Sequence, residues 1–110
     1  MVKQGDIIKT DFEPTKGHEQ AGYRPALVVS NELFSKVTNM TLVCPITNTE
    51  RGSPMHIALD SRTMTTGFVM CEQIRAVDLR ERKFRIVERV PMDIAGKVSG
   101  FVKASVDFKE

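Results

Sequence analysis

The stretch Arg24-Pro25-Ala26-Leu27-Val28-Val29-Ser30 carries the decision about fold. Proline cannot donate to a ladder, so Pro25 is expected to open a strand, and the unbroken apolar run behind it predicts a strand buried on both faces. Runs of the same kind lie on either side. Ile7-Ile8-Lys9-Thr10-Asp11-Phe12, between Gly5-Asp6 and Pro14, reads as a first strand, with residues 13–24 as a loop. Asn31 to Lys36 predicts one or two helical turns, and Thr41-Leu42-Val43-Cys44-Pro45-Ile46 a third apolar strand in which Pro45 implies an edge or a bulge. Met55-His56-Ile57-Ala58-Leu59 alternates with period two, residues 67–74 predict a further strand or bent pair, and residues 84–90 a last one.

Beyond Pro91 the period changes. Ile94, Val98, Phe101, Val102 and Val106 recur at helical spacing, with Asp93 in the favourable first turn. Many short strands followed by one amphipathic helix predict a mainly β fold, a small twisted barrel with a C-terminal helix. A chain of 110 residues has room for one core, so a single domain over 1–110 is expected.

With 41% hydrophobic and 27% charged residues, the composition excludes a disordered or fibrous chain. Sixteen Lys plus Arg against fourteen Asp plus Glu leave a net charge of +2, so a polyanionic partner must be held locally. In the densest basic stretch, Arg75 to Arg89, the acids Asp78, Glu81 and Glu88 interleave; it reads as a solvated mixed-charge face or as a phosphate-contacting strip. Cys44 and Cys71 lie in apolar segments without CxxC spacing, which predicts buried thiols and no metal site. No apolar run approaches the roughly 20 residues that span a bilayer, and Met1 to Asp6 lacks the apolar core of a signal peptide, so a cytoplasmic protein with no membrane contact is expected.

Three places can carry chemistry. The Gly-bounded loop Gly17-His18-Glu19-Gln20-Ala21-Gly22-Tyr23-Arg24-Pro25 gathers proton-transferring groups and a cation for an anionic transition state. At Pro45-Ile46-Thr47-Asn48-Thr49 an apolar strand ends in polar groups, and Thr47 either donates to a phosphate oxygen or completes its own turn. Glu72-Gln73 interrupts an apolar run and faces either solvent or the site.

These same segments resemble the MazF/PemK toxin endoribonucleases, including the Kid-like branch. The match comprises Gly-Asp at 5–6, Asp-Phe-Glu-Pro-Thr-Lys-Gly at 11–17, Glu-Gln-Ala-Gly at 19–22, Arg-Pro-Ala-Leu-Val-Val-Ser at 24–30, Pro-Ile-Thr at 45–47 and Cys-Glu-Gln-Ile-Arg at 71–75. The resemblance implies a PemK/CcdB-like, SH3-like twisted β-barrel, working as a homodimer that cuts single-stranded RNA at short sequences without a metal or other cofactor. It implies catalytic roles for Arg24 and Thr47, with Glu19 matching the acidic residue of the loop. His18, Gln20, Tyr23, Asn48, Thr49, Glu72, Gln73 and Arg75 are the expected substrate-binding residues. The Kid-like arginine falls on Met70 and its aspartate on Glu72, so a mechanism leaning on Arg24 and Thr47 is expected. Base reading is expected from the loop between Thr47 and His56, and stacking from Tyr23. A cognate antitoxin of the MazE/PemI kind would lay an extended, partly acidic segment along the groove, masking Arg24. The competing expectations are a CcdB-like toxin that binds DNA gyrase without cutting RNA, which needs neither Arg24 nor Thr47, and a barrel kept only as an interaction module.

Overall fold

Strand β1 (Asp6–Thr10) puts neighbouring isoleucines on opposite faces, and both are fully buried. Ile7 joins a core of Leu27, Cys44, Ile46, Ile57, Val69, Cys71, Val90, Ile94 and Val98, whereas Ile8 joins Phe12, Ala26, Val28, Val43 and Val77. A sheet buried on both faces reads as continuous apolar runs, the character of the segment that follows Pro25. The computed structural model describes residues 1–12, 23–50 and 52–109.

The remaining elements are β2 (Arg24–Val28), α1 (Glu32–Thr38), β3 (Thr41–Thr47), β4 (His56–Ala58), β5 (Phe68–Met70), β6 (Arg75–Val77), β7 (Phe84–Arg89) and α2 (Met92–Val106). Short 310 turns occupy Cys71–Gln73 and Leu79–Glu81. Every ladder is antiparallel, in the order β4-β5-β3-β2-β1-β7 with β6 paired to β3. These ladders leave β4 and β7 unjoined, so the expected barrel takes the form of an open, bent antiparallel sheet among the described residues.

Local chemistry sets the element ends. Asn31 caps α1 by accepting from the Phe34 N–H at 3.0 Å, and Asn39 ends it in the left-handed region at φ 63°. Helix α2 starts behind Pro91, with Asp93 in its first turn and Lys103 in its last. Its Ile94 and Val98 are buried in the first core, each such side chain contributing about 1.5–3 kcal/mol. Val106, expected on the packed stripe, is exposed.

Three expectations need correction. Arg24 is the first residue of β2 rather than part of the loop, since Thr10 of β1 pairs with it. Pro45 marks neither edge nor bulge. β3 is central, and Pro45 is where its neighbours change: the β2 ladder ends at Ala26↔Pro45, and along the other side β6 (partnering residues 41–43) gives way to β5 (partnering 46–47). Residues 67–74 resolve into β5 and a 310 turn, and β6, which begins at Arg75, was not anticipated as a strand.

Candidate functional site

The β2–β3 register joins the two predicted chemical segments. Its last pair is Ala26↔Pro45, so two residues further along both strands Arg24 stands opposite Thr47 on the same face. Successive antiparallel pairs turn their N–H groups to opposite sides, so one of the two prolines, 25 or 45, removes a donor from this ladder, whose last pair is Ala26↔Pro45, leaving two strand tips side by side. The Arg24 residue is exposed and Thr47 half-buried. Thr47 Oγ1 accepts the Thr49 N–H at 3.1 Å, so the hydroxyl both completes its own turn and keeps its proton for donation. Asn48 Oδ1 accepts from the Thr66 hydroxyl at 2.9 Å, which ties this lip to the segment before β5.

Arg75 reaches the same face through Val43↔Arg75, because Val43, Pro45 and Thr47 alternate together on β3. Its guanidinium lies over the Phe12 ring, 5.3 Å from the centroid, with no ion pair to it among the described residues. Three further cations of the basic stretch are engaged within the chain: Arg80 with Asp78, Arg89 with Asp6 and the Gln4 carbonyl, and Arg82 with the Asp11 carbonyl. For these three the mixed-charge face is favoured over a phosphate strip.

Glu72 and Gln73 were expected inside a strand; they lie in the 310 turn, both exposed. His56 Nε2 is 2.9 Å from Glu72 Oε2. Burial pushes the Glu72 carboxyl up, but the bonds from His56, the backbone and Gln73 outweigh it and hold the group below its ordinary range. Cys44 and Cys71 are free and buried, as expected. Burial foremost raises their thiols to about 12 and about 11, so neither serves as a nucleophile at neutral pH.

Tyr23 is 44% exposed and borders a cleft of about 690 Å³ with Asp11, Met40, Arg82 and Lys83. A second cleft, about 580 Å³, lies between α1 and Phe84. Neither is lined by Arg24, Thr47 or Glu72. The candidate site is the open strand face that carries Arg24 and Thr47. His18, Glu19 and Gln20 lie outside the described residues. His56 was not anticipated as a site residue; its one legible signal is the period-two pattern of residues 55–59. No three His, Cys, Asp or Glu side chains converge as a metal-binding set among the described residues.

Residues 3–106 match the family model of the PemK-like, MazF-like toxin of type II toxin-antitoxin systems. The chain is 38% identical over 103 residues to the endoribonuclease PemK of Escherichia coli, covering 90% of this chain and 77% of that protein. It is also 38% identical over 78 residues to the endoribonuclease toxin MazF of Escherichia coli K12, covering 71% and 69%. Among solved structures, a MazE-MazF crystal structure from Deinococcus radiodurans superposes with a TM-score of 0.85 at 27% identity, covering 98% of each chain. The fold is MazF-like, an antiparallel sheet with a C-terminal helix. The chain belongs to the PemK-like, MazF-like toxin family.

Proposed function

We propose that this chain is a toxin endoribonuclease that cleaves single-stranded RNA at short sequences without a metal, through attack of the substrate's own 2′-hydroxyl. In this reaction the 2′-oxygen bonds to phosphorus and the P–O5′ bond breaks, leaving a 2′,3′-cyclic phosphate and a 5′-hydroxyl. The observation that carries the reading is the shared face of Arg24 and Thr47 on adjacent strands. A planar guanidinium matches phosphate oxygens, and its bonds strengthen as charge builds in the transition state. Thr47 adds a neutral donor.

Two protons must move, one from the 2′-hydroxyl and one to the leaving oxygen. Arginine is a poor proton carrier because its pKa exceeds about 12. Glu19 is assigned at least one transfer, with His18 beside it. Asn48, Thr49, Gln20, Tyr23, Gln73 and Arg75 bind the strand, by hydrogen bonds to base edges, by stacking and by phosphate contact. The protein acts in the cytoplasm as a homodimer, restrained by an antitoxin segment that covers Arg24; the family and the MazE-MazF neighbour support this. Gyrase poisoning in the CcdB manner is disfavoured, because it has no use for a paired arginine and threonine.

The test is incubation of the purified protein with mixed-sequence RNA in EDTA, followed by mapping of the ends. Discrete cuts with 5′-hydroxyl termini, abolished in Arg24→Ala and by a co-purified antitoxin, are expected. Intact RNA refutes the reading.

A further inference from the structure

The β3–β5 ladder ends at Thr47↔Phe68, and one step beyond it Asn48 stands across from the Thr66-Gly67 segment. Asn48 Oδ1 accepts the Thr66 hydroxyl at 2.9 Å; an amide oxygen carries no hydrogen, so the proton of that contact is the threonine's. Thr47 Oγ1, holding the Thr49 N–H at 3.1 Å, fixes the main chain on either side of Asn48. Both Asn48 and Thr66 are exposed, so a substrate can reach them. The Asn48 Nδ2 group has no partner among the described residues.

An untethered asparagine amide reads either kind of base edge, because half a turn about its last bond exchanges oxygen for nitrogen. The Thr66 hydroxyl alone would tolerate both settings, since it donates and accepts. Gly67 separates them. Asn48 Oδ1 stands 3.1 Å from the place a β-carbon would take on Gly67, a place that glycine fills with hydrogen. A carbonyl oxygen is attracted to that C–H, whereas an amide NH2 in its position would set hydrogen against hydrogen. The carbonyl side of Asn48 therefore faces the segment before β5, and the side turned outward is the NH2, which only donates.

We propose that Thr66 is a positioning residue that fixes the Asn48 amide with its donors outward, so that the site selects a keto base, uracil or guanine, over an amino base, cytosine or adenine, at a nucleotide flanking the cut. The inference rests on the ribonuclease reading and concerns the choice of substrate, not the bond-breaking step. Consecutive Cα atoms are about 3.8 Å apart, so Asn48 is within one nucleotide of a phosphate held at Thr47. Uracil O4 and guanine O6 accept hydrogen bonds, whereas cytosine N4 and adenine N6 donate and would meet the Asn48 donors head on. The usual bidentate reading of adenine by asparagine needs the amide oxygen as well as the nitrogen, and here Thr66 and Gly67 occupy the oxygen.

The experiment incubates a randomised RNA pool with wild type, Thr66→Val, Thr66→Ser and Asn48→Asp, sequences the cut ends, and takes the ratio of keto to amino bases at each position around the cut. For wild type, one flanking position is expected to favour keto bases at least about 10-fold. Thr66→Val, which frees the amide to turn, should lower that ratio at least about fivefold at the same position and leave the others unchanged. Thr66→Ser keeps the hydroxyl and should keep the ratio. Asn48→Asp leaves an oxygen for Thr66 but turns an acceptor outward, so the preference should reverse toward amino bases. A general loss of rate or fold lowers all cuts together and does not change the ratio. Where a variant cuts too little to map, affinities for oligonucleotides with a 2′-deoxy sugar at the cut, differing only at that position, are expected to show the same order. A wild type whose cuts show no keto preference at a flanking position overturns the proposal. So does a wild-type ratio in Thr66→Val or Asn48→Asp, whether read from cuts or from affinities. A pool left intact by wild type refutes the ribonuclease reading instead, a result distinct from mapped cuts without a keto preference.

Discussion

Gly67 lies so close beneath the main chain of Thr47 that a β-carbon on it would stand 2.4 Å from the Thr47 carbonyl oxygen. Its φ of +118° is also one that a side chain rarely adopts. The backbone of the proposed threonine is therefore seated on a glycine. Gly67→Ala is expected to cost about 2–4 kcal/mol, from positive-φ strain and forced movement of backbone. Because that movement displaces Thr47, cleavage should fall as well. Urea unfolding and a rate assay on the folded fraction check both; a variant of wild-type stability would show that Thr47 does not depend on this contact.

Glu88 organises the segment that leads to Gly67. Its carboxylate accepts the Met64 N–H at 3.1 Å, the Thr65 N–H at 2.8 Å and the Thr65 hydroxyl at 2.7 Å. Burial raises the Glu88 carboxyl, but the Thr65 and Met64 bonds together hold it below its ordinary range. Glu88→Ala should cost about 1–2 kcal/mol, since charged hydrogen bonds at a partly exposed site are weakened by solvent. Thermal melts measure the loss, and an unshifted Tm would contradict it.

Arg62 clamps Asp60 and Asp93, reaching the first at 2.8 Å and the second at 3.0 Å. The Arg62 side-chain bond is the main reason that the Asp60 carboxyl is held at about 2, below its ordinary 3.8. A depressed carboxyl contributes stability above its unfolded pKa and loses it as pH falls through the folded value. The contribution is thus complete above about pH 4 and lost toward pH 2, and it is small because the pair is exposed. Arg62→Ala should flatten the fall in Tm across that window and leave Tm at pH 7 nearly unchanged. An identical acid profile in the variant would show that the clamp plays no part.

Arg24 and Thr47 should differ in how they tolerate replacement. Arg24→Lys keeps the charge but loses the fork, and a drop of at least about 100-fold in cleavage is expected, with little change in Tm because the residue is exposed. Thr47→Val should cost roughly 10- to 100-fold, whereas Thr47→Ser keeps both the donor and the bond from Thr49 and should retain most activity. Equal rates in Thr47→Val and wild type would remove the hydroxyl from the mechanism.

Much of this was legible in local chemistry. The proline ahead of Ala26-Leu27-Val28 marked a doubly buried strand, and the 3.6 period after Pro91 marked α2, because both patterns arise from which side chains must leave water. Arg24 and Thr47 stood out for their chemistry beside Gly, Pro and Asn. Their adjacency could not be read, because register between distant strands is a property of the assembled sheet.

By itself the sequence determined most of the elements, the two buried thiols, the family and the kinds of group available for chemistry. Tertiary structure alone decided that Arg24 opens a strand, that Pro45 is a change of partners within a central strand, and that the ladders stay open. It also brought His56 to Glu72, sixteen residues apart, through the β4–β5 ladder and the turn that follows it. The physical reason is one of range. Propensity and periodicity act over a few residues, whereas a hydrogen bond between distant side chains exists only once ladders have fixed which strands lie side by side.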